Sequence, residues 1–315
     1  MNNSTYKSTN YELIDAPFSD QRLDNYLLSR LKKVPRSHIY HLIRSGQVRV
    51  NSSRVRPSYR LKEGDKVRVP PVFIRNPAQK KQKPSNIDLL KKSIIYEDNK
   101  LIILNKPSGM AVHSGTGVDY GCIELIRVIY PRLKELDLVH RLDRGTSGCL
   151  LVAKKRSTLR QLHLLIRENL IEKRYLALLK GSWKLGNITV DEPLLTYRRS
   201  NGQSFVKVSE EGKTAKSHFK FIESFGEIAT LVEVIIETGR THQIRAHAKS
   251  LGHPVAGDQQ YGDKDFNILL KRMGLNRIFL HAHSISFAWQ DNYKDLSVSC
   301  PLPKDLRELH SKIIA

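Results

Sequence analysis

Residues 139–148 read Val-His-Arg-Leu-Asp-Arg-Gly-Thr-Ser-Gly and run straight into the apolar Cys149-Leu-Leu-Val152. A polar, glycine-containing stretch that feeds an apolar run predicts a loop ending in a strand. Asp143 then stands at the mouth of that strand, between Arg141 and Arg144. Nearby guanidinium charge favours the ionised carboxylate. A loop carboxylate held ionised can act as nucleophile or base. The competing reading is a loop aspartate in a surface ion pair, because perturbed ion pairs are often structural.

Two further segments carry chemistry-bearing residues. Glu237-Thr-Gly-Arg-Thr-His-Gln-Ile-Arg-Ala-His247 follows an apolar run at 229–236, so a strand ends, Gly239 turns, and a helix starts near Thr241. His242, Arg245 and Lys249 then fall near one helix face. A helix start with arginine nearby suits a phosphate or a carboxylate. Capping or core hydrogen bonding is the plainer role for His242 and His247. Their spacing lacks the zincin pattern, so no metal is expected. In Lys173-Arg-Tyr-Leu-Ala-Leu-Leu-Lys-Gly181, Tyr175 starts a strand. Its ring could stack on a base or simply fill a core edge.

Away from these segments the chain reads as two parts. Residues 1–15 look like a flexible tail. Leu23, Tyr26, Leu27 and Leu31, then Ile39, Leu42 and Ile43, recur at helical spacing. Gly46 is placed to stop the second helix, and short alternating strands follow at 48–50 and 66–69. Prolines 70, 71, 77 and 84, with Lys80, Lys81 and Lys83, suggest a linker. Beyond it, longer strand-like runs alternate with helical stretches at 121–130, 156–170 and 241–251. The whole is expected to be α+β, with a mixed, largely antiparallel β-sheet in the larger part.

The 315 residues suit about two domains. Charge is more telling: 53 Lys and Arg against 31 Asp and Glu leave a net of +22. Residues 1–92 hold 20 of those basic and only 7 of the acidic side chains, as in an electrostatic module joined to a more balanced domain. Such an excess points to a polyanionic partner, most simply nucleic acid. Cys122, Cys149 and Cys300 are too few and too scattered for a disulfide framework or a zinc site. No apolar leader opens the chain and no apolar run approaches membrane-spanning length, so a reducing cytoplasm is expected.

Taken together, the segments closely resemble the RluA-type family of pseudouridine synthases. The resemblance rests on HRLDRGTSG at 140–148, KRYLALLKG at 173–181 and GRTHQIRAH at 239–247. Asn105-Lys-Pro-Ser-Gly109 with Val112-His113, Gly252-His-Pro254, Gly257-Asp258, Tyr261-Gly262 and Leu280-His-Ala282 add to it. Gly145 departs from the aspartate that many members carry there. Residues 21–69 resemble an S4 RNA-binding domain. The implied layout is a tail at 1–15, an S4-like domain at 16–72, a linker at 73–92 and a pseudouridine synthase catalytic domain at 93–315.

The resemblance also implies the reaction. The N1–C1′ bond of a uridine in RNA breaks, the base turns, and C5 joins C1′. The reaction needs no cofactor and no metal. Positive character at C1′ calls for one carboxylate near the sugar, and by resemblance this is Asp143, acting either at C1′ or on the C2′ proton. Arg245 is implied to pair with it. Tyr175 is implied to stack on the target base, with a further role in loss of the C5 proton. Arg141 is implied to enter the RNA stack where the uridine leaves. Arg144, Arg36, Arg44, Arg49, Arg240 and His242 are the other expected RNA contacts. The implied partner is 23S ribosomal RNA or its precursor, met by a monomer. Modification of other 23S sites by a related member, a non-catalytic ribosome-assembly factor, and a nucleoside or glycoside hydrolase are the alternatives. The hydrolase would want a second carboxylate near Asp143 and has little use for an S4-like module.

Overall fold

The computed structural model describes residues 8–31, 34–72, 86–115, 118, 120–198, 204–289 and 294–314. The chain divides into two compact units, residues 1–82 and 83–315. Residues 1–7 of the expected tail and 73–85 of the expected linker lie outside the described residues.

The first unit contains β1 (Asn10–Leu13), α1 (Leu23–Arg30), α2 (Arg36–Arg44), β2 (Arg49–Val50) and β3 (Lys66–Val69). Helical spacing places Leu23, Tyr26 and Leu27 of α1, and Ile39, Leu42 and Ile43 of α2, on apolar faces. All six are buried together with Val50, Val67 and Val69. Each such leucine, isoleucine or valine contributes roughly 1.5–3 kcal/mol by leaving water. The antiparallel sheet runs β1-β3-β2, which corrects the reading of 1–15 as tail. Residues 10–13 pair with Val69 back to Lys66, and Ile14 is buried. Asn10-Tyr-Glu-Leu13 is too short for its polar–apolar alternation to stand out, and its apolar side chains Tyr11 and Leu13 are exposed; this edge strand is held through its backbone.

The second unit opens with α3 (Ile87–Lys92), inside the stretch expected as linker. Leu90 is fully buried in this unit's core, so the helix belongs to the larger unit. Then come β4 (Ile94–Glu97), β5 (Leu101–Lys106), α4 (Cys122–Ile129), β6 (Asp137–Leu138), β7 (Ser147–Ala153), α5 (Arg156–Arg167) and β8 (Ile171–Lys180). They are followed by β9 (Ile188–Asp191), β10 (Leu194–Arg198), β11 (Ser204–Val208), β12 (Lys216–Phe225), β13 (Ala229–Ile236) and α6 (Gln243–Ser250). The unit closes with α7 (Lys264–Arg272), β14 (Leu280–Trp289), β15 (Lys294–Ser299) and α8 (Lys304–Ile314).

One ten-stranded sheet carries this unit, in the order β4-β5-β7-β14-β8-β13-β12-β9, with β15 beside β14 and β6 beside β7. Its pairings are antiparallel except that of β7 with β14, so the sheet is mixed. All seven residues of β7 are buried, as its unbroken apolar run requires. Gly148 lies where β14 passes. Its φ is +112°, and a Cβ there would stand 2.1 Å from the Ala282 carbonyl oxygen. Only glycine fits such a crossing.

The strand order fixes the site. β7 and β8 both flank β14, and β13 lies next to β8. The loop before β7, the middle of β8 and the helix after β13 therefore converge. Tyr175 lies within β8 rather than at its start, opposite Ala282 of β14 and Val234 of β13. The scattered cysteines are also less scattered than the sequence suggests: the Cys149 and Cys300 sulfurs are 3.0 Å apart, both free and buried.

Candidate active site

Asp143 sits on a loop clamped from behind by residues 106–110. Lys106, fully buried, donates from Nζ to the carbonyls of Pro107 (3.0 Å), Met110 (2.9 Å) and Arg144 (3.3 Å). Burial pushes its pKa down to about 8. The Ser108 hydroxyl donates to Gly145 O at 2.7 Å. Gly109 N–H donates to Arg144 O at 2.8 Å, and Arg144 Nε donates to Gly109 O at 2.9 Å. Arg144 is thus occupied in holding the loop.

The partners of Asp143 come from α6 and its cap. Arg245 Nη1 donates to Asp143 Oδ2 at 3.1 Å, and His242 Nε2 lies 3.7 Å from the same oxygen. The flanking Arg141 and Arg144 do not fill this role, because consecutive loop residues diverge. Arg245 also binds Asp258, Nε to Oδ2 at 2.7 Å and Nη2 to Oδ1 at 2.9 Å. Burial opposes the Arg245 charge, but Asp258 and Asp143 outweigh it and hold its pKa above the ordinary value. Burial likewise opposes the Asp258 carboxylate; the Arg245 guanidinium prevails and keeps its pKa low.

The turn between β13 and α6 is built by the buried Gln243. Its Oε1 accepts from Thr238 Oγ1 (2.7 Å) and Arg240 N–H (3.0 Å), and its Nε2 donates to Lys216 O and Ser217 Oγ, each at 2.9 Å. The helix starts at Gln243 rather than Thr241, because His242 caps it with φ +53°. That left-handed backbone costs a non-glycine residue about 1–3 kcal/mol. His242 Nδ1 lies 2.9 Å from the Tyr261 hydroxyl, whose oxygen accepts the Val206 N–H at 2.8 Å. Burial lowers the His242 pKa against the pull of Asp143. The Arg245 guanidinium also lies 4.8 Å from the centre of the Tyr261 ring.

Asp143, Tyr175, Arg245, Arg141, Arg240 and His242 line one cavity of about 70 Å³. Tyr175 is 7% exposed. Burial and the Asp143 charge push its pKa up, so the phenol keeps its proton. Arg36, Arg44 and Arg49 belong to the first unit. The guanidiniums of Arg36 and Arg44 lie 5.7 and 5.9 Å from the Tyr40 ring centre, and Arg49 donates to Gly46 O and Ser52 O. Lys249 does not join the Asp143 cavity. His247 is a core residue, bonded to Ser217 Oγ and Glu192 O.

Lys106, Asp258 and Tyr261 support the groups around Asp143, and local sequence patterns give none of them a role. Their local signal is only their place in the short segments Asn105-Lys-Pro, Gly257-Asp258 and Tyr261-Gly262. Gly257 has φ +71°, and a Cβ there would meet Arg277 O at 2.0 Å, which marks a tight turn. Among the described residues no group of three or more His, Cys, Asp or Glu could hold a metal ion. No described helix is long and apolar enough to cross a membrane.

The chain as a whole is similar to known proteins. The family described as RNA pseudouridylate synthase matches residues 100–250, and the S4 domain matches residues 21–67. The chain belongs to the RNA pseudouridylate synthase family, whose members are isomerases. It is 46% identical over 297 residues to ribosomal large subunit pseudouridine synthase C of Haemophilus ducreyi, covering 94% of this chain and 92% of that protein. The protein of the same name from Escherichia coli strain K12 is 44% identical over 304 residues, 95% of each. Among solved structures, human RNA pseudouridylate synthase domain containing 4 superposes with a TM-score of 0.58 at 25% identity, covering 72% of this chain and 95% of that one.

Proposed function

We propose that this protein isomerises specific uridines of 23S ribosomal RNA to pseudouridine, with Asp143 as the catalytic carboxylate. The observation that carries this reading is the Asp143–Arg245 ion pair in a cavity that Tyr175 also lines. A flipped-out uridine entering that cavity brings its ribose to Asp143 and its base to the Tyr175 ring. Extruding a base costs a few kcal/mol, and Arg141 and Arg240 at the same cavity offset part of it. The isomerisation is internally balanced: N1 leaves C1′, C5 takes its place, C5 gives up its proton and N1 gains one. Arg36, Arg44 and Arg49 supply backbone contacts from the S4 unit. The synthase works as a monomer in the bacterial cytoplasm, where its RNA is assembled into ribosomes, and the names of its relatives support that RNA as partner.

The test is tritium release from 23S rRNA transcripts carrying C5-labelled uridine, together with pseudouridine mapping in cells with and without the gene. Wild type is expected to release label at the mapped positions. Asp143→Asn is expected to release none while still binding RNA. An Asp143→Asn protein as fast as wild type refutes the assignment.

A further inference from the structure

The antiparallel pair β10–β11 forms a sheet separate from the ten-stranded one, and beside it lies a cavity of about 310 Å³. Tyr197, Phe205, Lys207, Lys249, Gln260 and Tyr261 line it. Tyr197 and Phe205 face each other across the two strands. Their rings stack at 5.9 Å with an interplanar angle of 28°. Phe205 is buried, while Tyr197 is 39% exposed. Lys207 and Lys249 are exposed at the same cavity. A flat open ring with two ammonium groups nearby matches a nucleobase and its phosphate: the base finds a stacking surface, and the phosphate finds charge.

The cavity is also joined to the catalytic pair through two of its own walls. Gln260 Nε2 donates to Ser204 O of β11 at 2.8 Å, and Gln260 Oε1 accepts from Arg245 Nη2 at 3.3 Å. The Tyr261 hydroxyl accepts from Val206 N–H of the same strand and lies 2.9 Å from His242 Nδ1. Arg245 and His242 are the two residues beside Asp143 Oδ2. Residues 204 and 206 of one strand are therefore tied, each through a single side chain, to the groups that position the catalytic carboxylate.

We infer that this cavity is a second nucleotide subsite. It takes a base flanking the target uridine, stacked on Tyr197, with the adjoining phosphate held by Lys207 and Lys249. The inference rests on the RNA reading above and extends it. Filling the subsite steadies β11, and through Gln260 and Tyr261 it steadies Arg245 and His242. An RNA that lacks the right neighbour then fails to complete the site.

The test uses the full-length protein and a short RNA hairpin spanning one mapped uridine. A matching series carries a single abasic ribose at each flanking position in turn. Stacking of one base on an aromatic ring makes Tyr197→Ala weaken binding of intact RNA by about tenfold. On one abasic RNA the same substitution is expected to change nothing further, because the stack is already gone. Tyr197→Phe should restore intact-RNA affinity, and Lys249→Ala should flatten the log affinity against log salt slope by about 1. No loss with Tyr197→Ala, or an equal loss on every abasic RNA, overturns the subsite while wild-type tritium release leaves the function standing. A wild-type protein that releases no tritium from rRNA overturns both. Should Tyr197→Ala melt early, Tyr197→Leu, which keeps an apolar side chain against Phe205 without a stacking ring, carried through the abasic series decides the matter by the same criteria.

Discussion

Asp258 grips Arg245 with both carboxylate oxygens, at 2.7 and 2.9 Å, and leaves one guanidinium nitrogen for Asp143. Asp258 is itself fixed by the backbone N–H groups of Gln260 and Tyr261 at 2.8 and 3.0 Å. A guanidinium bound along one edge cannot swing, so its remaining donor has a defined direction. Arg245 thus orients the carboxylate as well as neutralising it. Asp258→Asn keeps the shape but loses one acceptor and the charge. The expected outcome is a fall of about 100-fold in single-turnover rate, the scale of a misplaced reacting group, with RNA affinity little changed. Rapid-quench tritium release and filter binding check the two halves.

The His242 ring should be neutral at pH 7 with its proton on Nε2. The Tyr261 oxygen already accepts from Val206, which suits its own proton to Nδ1 at 2.9 Å, and burial disfavours the imidazolium. Nitrogen NMR of ¹⁵N-histidine protein reads the tautomer directly. In Tyr261→Phe the Nδ1 partner is gone, and the tautomer preference should collapse while the fold remains. A proton found on Nδ1 in wild type would remove Tyr261 from the support of the site.

Lys106 gives a pH dependence whose sign is fixed. Its folded pKa is about 8, against an ordinary value of 10.5. Between those values the unfolded chain binds more protons than the folded protein, so stability rises with pH across that window. Below pH 8 the buried charge is a standing cost, partly offset by three carbonyls. Urea melts at pH 7.5 and 10 (roughly the ends of that window) should show wild type gaining stability relative to Lys106→Met. The same variant should lose rate, because the Arg144 carbonyl beside Asp143 is released. A constant difference between the two proteins across the window refutes the buried-charge account.

Gly148→Ala is expected to be among the most damaging single-methyl changes in the chain. The new Cβ would overlap the Ala282 carbonyl oxygen, at a φ that non-glycine residues avoid. A cost of at least about 3 kcal/mol follows from strain and the clash together. It should appear as a lower melting temperature or as insoluble protein. Near-wild-type melting would mean that β7 and β14 can separate at that point.

Local pattern in the sequence was enough for the helical faces of α1 and α2, the buried run of β7, the strand at 229–236 and the loop that presents Asp143. Each depends on a period of 2 or 3.6 residues, or on a turn residue, and neighbours in sequence carry all of that information. The motif segments also brought out Tyr175 and Arg245, because their residue types and order suffice for recognition. They also implied the pairing of Arg245 with Asp143, but not its second partner. Asp258 reaches Arg245 from 13 residues downstream, across a turn, and no local period connects such positions. The same holds for the Lys106 clamp on the Arg144 carbonyl, the parallel meeting of Ser147 with His281, the Cys149–Cys300 contact and the edge strand at 10–13. In each case a backbone pairing or a buried polar group found its partner only after the sheet order was set. Spacing states which face a side chain is on; strand order and burial decide what it meets there.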